Sequence, residues 1–234
     1  MPGKMIAAYL LKRGLTVTAS FADVPHLEAF VASLPKEWKE RFRPAPPLSE
    51  DMGKAEVEAH LEAAVSALGG LDLYIHAEPW ADEQTLQDEE PETFVHQVNR
   101  RLRQLFYYCQ AAGRMMAKKK RGQIIIPLLA DTLHWAGYPS SPVYNQGAIS
   151  FVKSLAKELS PFGISVNVFE FGYYQEDATP LGRADRKRFE LFALKAPVPR
   201  LAEAVEGLGL LLDYGGGMSG QVIQWGYGIP PTTL

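Results

Sequence analysis

Hydrophobic and polar positions change period most clearly between residues 122 and 172, and this stretch predicts the architecture of the chain. Residues 124–126 are three consecutive isoleucines, a short β-branched run that is typical of a buried parallel strand. From residue 144 to 159 the apolar positions recur at helical spacing, and Pro161 and Gly163 follow as helix-ending signals. A second apolar run at 164–169 completes a strand–helix–strand unit, the building block of α/β folds.

The same change of period recurs along the rest of the chain. Residues 42–51 contain Pro44, Pro46 and Pro47, which cannot donate to a β-ladder, so this segment forms at best a short edge strand. Helices are predicted at 3–13, 25–40, 49–68, 91–120 and 201–212, and strands at 15–20, 71–76 and 220–225. This order predicts one α/β domain over residues 1–234, with a Rossmann-like, doubly wound parallel sheet.

Composition excludes several classes of function. The 234 residues carry a net charge of −3, which gives no reason to expect nucleic acid as a partner. No apolar run approaches the roughly 20 residues of a membrane-spanning helix, so no membrane is expected. The single cysteine, Cys109, excludes an intramolecular disulfide framework and favours a reducing, cytoplasmic location.

Several residues of the central stretch lie at the spacing of a known family pattern. Tyr144 opens the predicted helix, Val166 and Asn167 lie in the strand after it, and Gly172 follows that strand. In this arrangement the chain resembles the short-chain dehydrogenase/reductase superfamily over nearly its whole length. The resemblance implies a nicotinamide cofactor and a catalytic Ser–Tyr–Lys set, in which the Tyr is the general acid/base.

The resemblance places Tyr144, Asn99 and Asp131 at family catalytic positions, but the residues around them have changed. Asp131 stands where the family has its Ser, and Ala148 replaces the Lys that follows the Tyr by four residues. Without that Lys we expect the pKa of Tyr144 near that of a free phenol, about 10, which suits neutral pH poorly. An ionised Asp131 accepts hydrogen bonds where the family needs a donor. We therefore expect these three positions to have lost the family's function.

The family's cofactor-binding segments have changed as well. Its first strand and glycine-rich phosphate loop would precede Gly3, which alone matches that loop. Residues 76–79 replace the N-N-A-G sequence that lies against the adenosine, and Glu176 replaces a Thr that contacts the nicotinamide. The sequence thus predicts a sheet that lacks the first strand and the glycine-rich loop, with no NAD or NADP and no metal. The strand at 15–20 should then pair with the strand at 71–76, because each unpaired buried backbone group costs about 1–3 kcal/mol.

Three functions remain open at this point. The main prediction is a catalytically silent subunit that supports an active oxidoreductase paralogue, as in heteromeric dehydrogenases of the benzylsuccinate-pathway type. The second is a reused groove with different acid/base chemistry, built from Asp131, His134, Tyr144 and Asn99 at the strand ends. The third is an NAD(P)-dependent short-chain oxidoreductase with an unusual active site.

Two predicted helices carry more apolar surface than one sheet face can bury. The helix near 92–118 offers Phe106 beside its core positions, and the helix near 143–160 carries Phe151 on a second face. A surplus apolar face marks an interface, and the resemblance implies that these two helices form a bundle between subunits. We therefore expect a homo- or hetero-oligomer through them, with the active paralogue as the partner.

Overall fold

The computed structural model describes residues 2–49, 51–83, 90–131, 140–175, 182, 187 and 198–226, and every structural statement below concerns these residues. Helices and strands alternate along them in the predicted order. The elements are α1 Pro2–Lys12, β1 Val17–Ala19, α2 Val24–Ser33, α3 Lys36–Lys39, β2 Phe42–Pro44, α4 Lys54–Leu68, β3 Leu73–Ile75, α5 Pro91–Lys119, β4 Gly122–Leu129, α6 Pro142–Leu159, β5 Ile164–Phe171, α7 Leu201–Glu206, α8 Gly209–Tyr214 and β6 Val222–Trp225.

Four parallel strands form the main sheet, in the order β3-β4-β5-β6. Its centre is the pair β4–β5, which stays in register along both strands. Side chains of β4 alternate between two apolar layers: Ile124 and Ile126 pack with α5 and α6, whereas Ile125 packs with α1 and α7. Both faces of the sheet are therefore covered by helices, which is why its central strands are apolar almost without interruption.

The strands β1 and β3 do not pair, so the predicted contact between residues 15–20 and 71–76 is wrong. Among the described strands, β1 is hydrogen-bonded only to β2, in a parallel two-stranded sheet of its own. The helices α1 and α4 both pack on β1, and Val17 of β1 shares an apolar layer with Ile125 of the main sheet. Side-chain packing thus joins the two sheets, and it holds β1 in place without a shared ladder.

Most of the other predicted elements are confirmed, and the parallel α/β arrangement with them. The helix predicted at 25–40 is divided into α2 and α3 at Leu34, because the following Pro35 disfavours the helical conformation there. The helix predicted at 201–212 is likewise divided, into α7 and α8. The proline-rich segment contributes only the short β2. In the described ranges no helix combines the length and apolar character needed to cross a membrane.

Candidate functional site

The carboxyl ends of β3 and β4 enclose a small cavity at the start of α6. Open parallel sheets bind their ligands at this edge. The cavity measures about 10 Å³, which is room for about one water-sized group. Its lining comes from four elements: Trp80 and Ala81 after β3, Arg101 of α5, Leu128 and Leu129 of β4, and Ser141 and Asn145 at the start of α6.

Ser141 and Asn145 lie one helical turn apart and tie α6 to the ends of two strands. The Ser141 hydroxyl donates a hydrogen bond of 2.5 Å to the carbonyl of Ala81, after β3. The Asn145 side-chain amide donates one of 2.8 Å to the carbonyl of Leu129, the last residue of β4. The two residues have the four-residue spacing of the family's Tyr and Lys. The face of α6 at the strand ends therefore presents a hydroxyl and an amide.

Tyr144 and Ala148 lie on another face of α6 and belong to the apolar core. Tyr144 is 2 % exposed and Ala148 is 0 % exposed, and both pack in one layer with Leu105 and Cys109 of α5. Burial, and after it the charge of Glu78, raises the pKa of Tyr144 well above its usual range. The value near 10 expected from the sequence is therefore too low. A phenol that holds its proton this firmly is poorly suited to proton transfer at neutral pH.

The other two predicted positions do not share a cavity with this tyrosine in the described part of the chain. Asp131 follows β4 and accepts hydrogen bonds of 3.3 Å from the Ser140 hydroxyl and from the next backbone amide. It is thus an acceptor in these contacts, and it helps to fix the start of α6. Asn99 lies on α5 and is exposed to solvent. His134 and Glu176, which were also named from the sequence, lie outside the described residues.

Glu83, from the segment after β3, closes the N-terminus of α6. Its two carboxylate oxygens accept hydrogen bonds from the backbone amides of Val143, at 2.9 Å, and Tyr144, at 3.2 Å. Its own amide donates to the carbonyl of Ser140. A carboxylate at this position satisfies free amides and complements the helix dipole. The anion position at the start of α6 is therefore occupied by a side chain of the protein itself.

Glu170 is a second carboxyl group at the same edge of the sheet. It lies near the carboxyl end of β5, opposite Leu128 of β4, and is half-buried. Burial, and after it the charge of Asp131, raises the pKa of Glu170 to about 6. A carboxyl group with a pKa near neutral can release and take up a proton at physiological pH, as a general acid/base must.

A charged cluster reaches the cavity through Arg101. The Nε of Arg101 donates to Oε2 of Glu78 at 3.3 Å, and Oε1 of Glu78 lies 3.2 Å from Nε2 of His76. The other ring nitrogen of His76 is 2.8 Å from the Tyr74 hydroxyl. Burial alone would raise the pKa of Glu78, but His76 and Arg101 hold it below its usual value. Glu78 is therefore a charged structural partner of both residues.

The family's nicotinamide cofactor has a phosphate end and a nicotinamide end, and the residues near each position differ in how well they would fit it. At the phosphate end, α1 begins beside β3: a Cβ on Gly3 would lie 3.6 Å from that of Ala77. No acidic residue in the first turn of α1 opposes a phosphate. At the nicotinamide end, the Lys position is the buried Ala148, and the cavity has room for about one water-sized group. This cavity is therefore too small for the nicotinamide ring, and we assign no reaction step to the cofactor.

Metal ligands were examined in the same way. Within the described ranges, no group of three His, Cys, Asp or Glu side chains is placed to hold a metal ion.

Sequence reasoning missed Arg101, Glu83 and the pair Ser141–Asn145. A signal for Arg101 existed, because it stands four residues before the buried Leu105 and so lies on the buried face of α5. The serine and asparagine have the right spacing, but the length of the connection before α6 concealed which residues face the strand ends. Glu83 carries no local signal, since its first helical partner is 60 residues away along the chain.

Comparison with known proteins identifies the family. The family model described as enoyl-(acyl carrier protein) reductase matches residues 3–229. The 3-oxoacyl-(acyl-carrier-protein) reductase FabG of Vibrio cholerae is 28% identical over 151 residues, which cover 64% of this chain and 61% of that protein. The Vibrio harveyi protein of the same name is 25% identical over 206 residues, which cover 87% and 81%. The 2-dehydro-3-deoxy-D-gluconate 5-dehydrogenase of Bacillus subtilis is 29% identical over 157 residues, which cover 66% and 61%.

The chain thus spans about six-tenths of the length of the V. cholerae and B. subtilis relatives. A solved structure shares its fold over more of the chain. The short chain dehydrogenase from Bacillus anthracis superposes with a TM-score of 0.77, over 96% of this chain and 90% of that one. Its sequence identity is 18%, so this match shows the fold alone.

These findings correct two predictions. The family model and the named relatives are reductases and dehydrogenases, so the prediction of a catalytically silent subunit is wrong. The prediction that no nicotinamide cofactor binds is wrong for the same reason, because the reductases of this family use NAD(P)H. Members of the family commonly form oligomers, which supports assembly without naming a partner. The match over residues 3–229 and the shared fold show that the chain belongs to the short-chain dehydrogenase/reductase superfamily.

Proposed function

We propose that the protein is an NAD(P)-dependent oxidoreductase with an unusual active site, which interconverts a carbonyl group and the corresponding alcohol. The match of residues 3–229 to a reductase family supports the oxidoreductase class, and the names of the 3-oxoacyl reductases and the gluconate dehydrogenase among the relatives support the carbonyl group. The substrate class to test first is a 3-oxoacyl thioester, because the relatives from the two Vibrio species are named for it.

The general acid/base in this proposal is Glu170. Its carboxyl group is half-buried at the ligand-binding edge of the sheet, and its pKa of about 6 suits proton transfer near neutral pH. Tyr144 is not the acid/base in this proposal, because its phenol is enclosed in the core and its pKa is raised well above its usual range. The nicotinamide ring needs more room than the cavity of about 10 Å³ provides, so in this proposal it lies outside that cavity.

Assembly belongs to the same proposal. Phe106 of α5 is 43 % exposed, and its ring lies 5.6 Å from that of Phe151 of α6. An exposed aromatic pair shared by two neighbouring helices supports an interface with a second copy of this chain. The single cysteine is buried and free, which is consistent with a reducing compartment, and we propose a cytoplasmic location.

The test is consumption of NADPH or NADH by the purified protein with acetoacetyl-coenzyme A as the probe. We expect turnover with one of the two nucleotides. Glu170→Gln should lower the rate by about 10²–10⁴-fold, the usual contribution of a general acid/base, whereas Tyr144→Phe should change it by less than about tenfold. The opposite pattern would return the acid/base role to Tyr144. If calorimetry shows that neither nucleotide binds, the proposed function is overturned.

A further inference from the structure

Arg101 has more hydrogen-bond donors than the described structure uses. It is 9 % exposed, and its Nε donates to Glu78. Its Nη1 is buried and has no hydrogen-bond partner among the described residues. A buried, charged donor without an acceptor is costly. Such a group leaves a donor available to an acceptor from outside the chain, either water or a ligand.

The cavities beside Arg101 show where that acceptor would lie. Arg101 lines the cavity at the ends of β3 and β4, and also a second one of about 10 Å³ that it shares with Glu83 and Val98. In the first cavity Ser141 donates to Ala81 and Asn145 donates to a strand carbonyl. Among the side chains that line it, Arg101 is the one with a buried polar atom that has no partner among the described residues, beside a space for about one oxygen atom.

The guanidinium of Arg101 is held rigidly in this position. Its Cζ lies 3.6 Å from the centre of the Tyr144 ring, so that the guanidinium covers the aromatic face. Its Nε is bonded to Glu78, which is itself in contact with His76. These two contacts fix the plane of the guanidinium, and with it the position of Nη1. A donor that is held in place before the reaction is effective toward developing charge.

We propose that Nη1 of Arg101 binds the oxygen atom of a carbonyl or carboxylate group at the carboxyl ends of β3 and β4. The inference rests on the proposed oxidoreductase function for the identity of the substrate. In that function Arg101 supplies the donor that Asp131 cannot supply, because an ionised carboxylate only accepts hydrogen bonds. Arg101 is the substrate-oxygen ligand, and Tyr144 is a positioning residue that supports the guanidinium.

Binding of sodium formate tests the site without any need for turnover. Formate offers a single small carboxylate, and its affinity is measured by calorimetry at constant ionic strength. The variants are Arg101→Lys, which keeps the charge but loses the planar fork, and the double variant Arg101→Met, Glu78→Met. The double variant removes both charges together, so that no unpaired Glu78 remains to prevent folding. Arg103→Met is the matched control, because Arg103 lies on the same helix and pairs with the exposed Asp51.

We expect formate to bind to the native protein and equally to Arg103→Met. Its affinity should fall about 10-fold to 100-fold in Arg101→Lys, the range for one hydrogen bond to a charged group, and binding should be lost in the double variant. No binding to the native protein, or equal binding to the double variant, overturns the inference.

The reduction assay separates this inference from the proposed function. If formate binding depends on Arg101 but neither nucleotide is consumed, the oxygen site stands and the oxidoreductase proposal fails. If the native protein reduces acetoacetyl-coenzyme A and Arg101→Lys keeps both kcat and KM within about twofold, the oxygen site fails and the oxidoreductase proposal stands.

Discussion

Replacing Ala148 with the family's lysine tests whether position 148 faces the apolar core, as in this structure, or the strand ends. The Ala148 side chain is 0 % exposed and lies in the apolar layer with Leu105 and Cys109. A lysine enclosed there has its pKa lowered by about 4 units, and each unit corresponds to about 1.4 kcal/mol. Overpacking adds about 1–3 kcal/mol. We therefore expect Ala148→Lys to lower the free energy of unfolding by about 7–9 kcal/mol below pH 6, as much as the whole stability of many domains.

Gln146→Lys is the matched control on the same helix. Gln146 is exposed to solvent, so a lysine at this position stays hydrated. Surface substitutions of this kind usually change the free energy of unfolding by about 0.5 kcal/mol or less. The two lysine variants should therefore differ by about 5 kcal/mol or more. The difference reports that position 148 faces the core.

Urea denaturation followed by fluorescence measures both variants, and pH provides a second test. An unfolded lysine has a pKa of about 10.4, and the enclosed one in Ala148→Lys is expected near 6. Between these values the unfolded state binds more protons, so the stability of Ala148→Lys should rise with pH and its deficit should be smallest near pH 10. A loss below about 2 kcal/mol with no dependence on pH would mean that the lysine reaches Glu78 or solvent. The assignment of Ala148 to the core would then be refuted.

Three further substitutions test the edge of the sheet and the assembly. The pKa of Glu170 is raised from 4.5 to about 6 in the folded protein. The protonated carboxyl group therefore contributes stability that is fully present below about pH 4.5 and is lost as the pH rises through 6. Glu170→Gln should thus stabilise the fold by about 1–2 kcal/mol at pH 8 and leave it unchanged at pH 4, and equal urea midpoints at pH 8 would contradict this. Glu83→Gln removes the charge bonded to two first-turn amides of α6; it should cost about 1–2 kcal/mol in the same assay, and an unchanged midpoint would show that the cap is not used. Phe106→Asp should reduce the mass measured by light scattering to that of a monomer. A native protein that is already monomeric at micromolar concentration would contradict the proposed interface.

The parts of the fold that depend on local pattern were predictable from the sequence. The three isoleucines at 124–126 and the apolar run at 164–169 identified β4 and β5, because strands buried on both faces require uninterrupted apolar residues. The pairing of β1 was not predictable. It depends on where α1 and α4 hold β1, and a three-residue strand carries too little pattern to specify its neighbour.

The candidate site was less predictable than the fold, for a geometric reason. A count of thirteen residues back from Tyr144 leads to Asp131, which lies two residues beyond the end of β4 at Leu129. The count assumes a connection of fixed length between the strand and the helix. A change of one residue in that length changes which helical residue faces the sheet, because successive residues lie about 100° apart around the helix axis. Tyr144 therefore lies in the core, and Ser141 lies at the strand end.

The segment from His76 to Glu83 contacts several of the residues that depart from the family pattern. Glu78 holds Arg101 over the ring of Tyr144, the Ala81 carbonyl receives the Ser141 hydroxyl, and Glu83 closes the start of α6. Each of these contacts depends on this segment, whose first four residues stand in place of N-N-A-G. A single reversion, such as a lysine at position 148, therefore leaves this segment and its contacts in place. We expect no single reversion to raise the rate with acetoacetyl-coenzyme A. A faster Ala148→Lys variant would show that the segment and the Lys position are independent, and that the altered site is a set of separate substitutions.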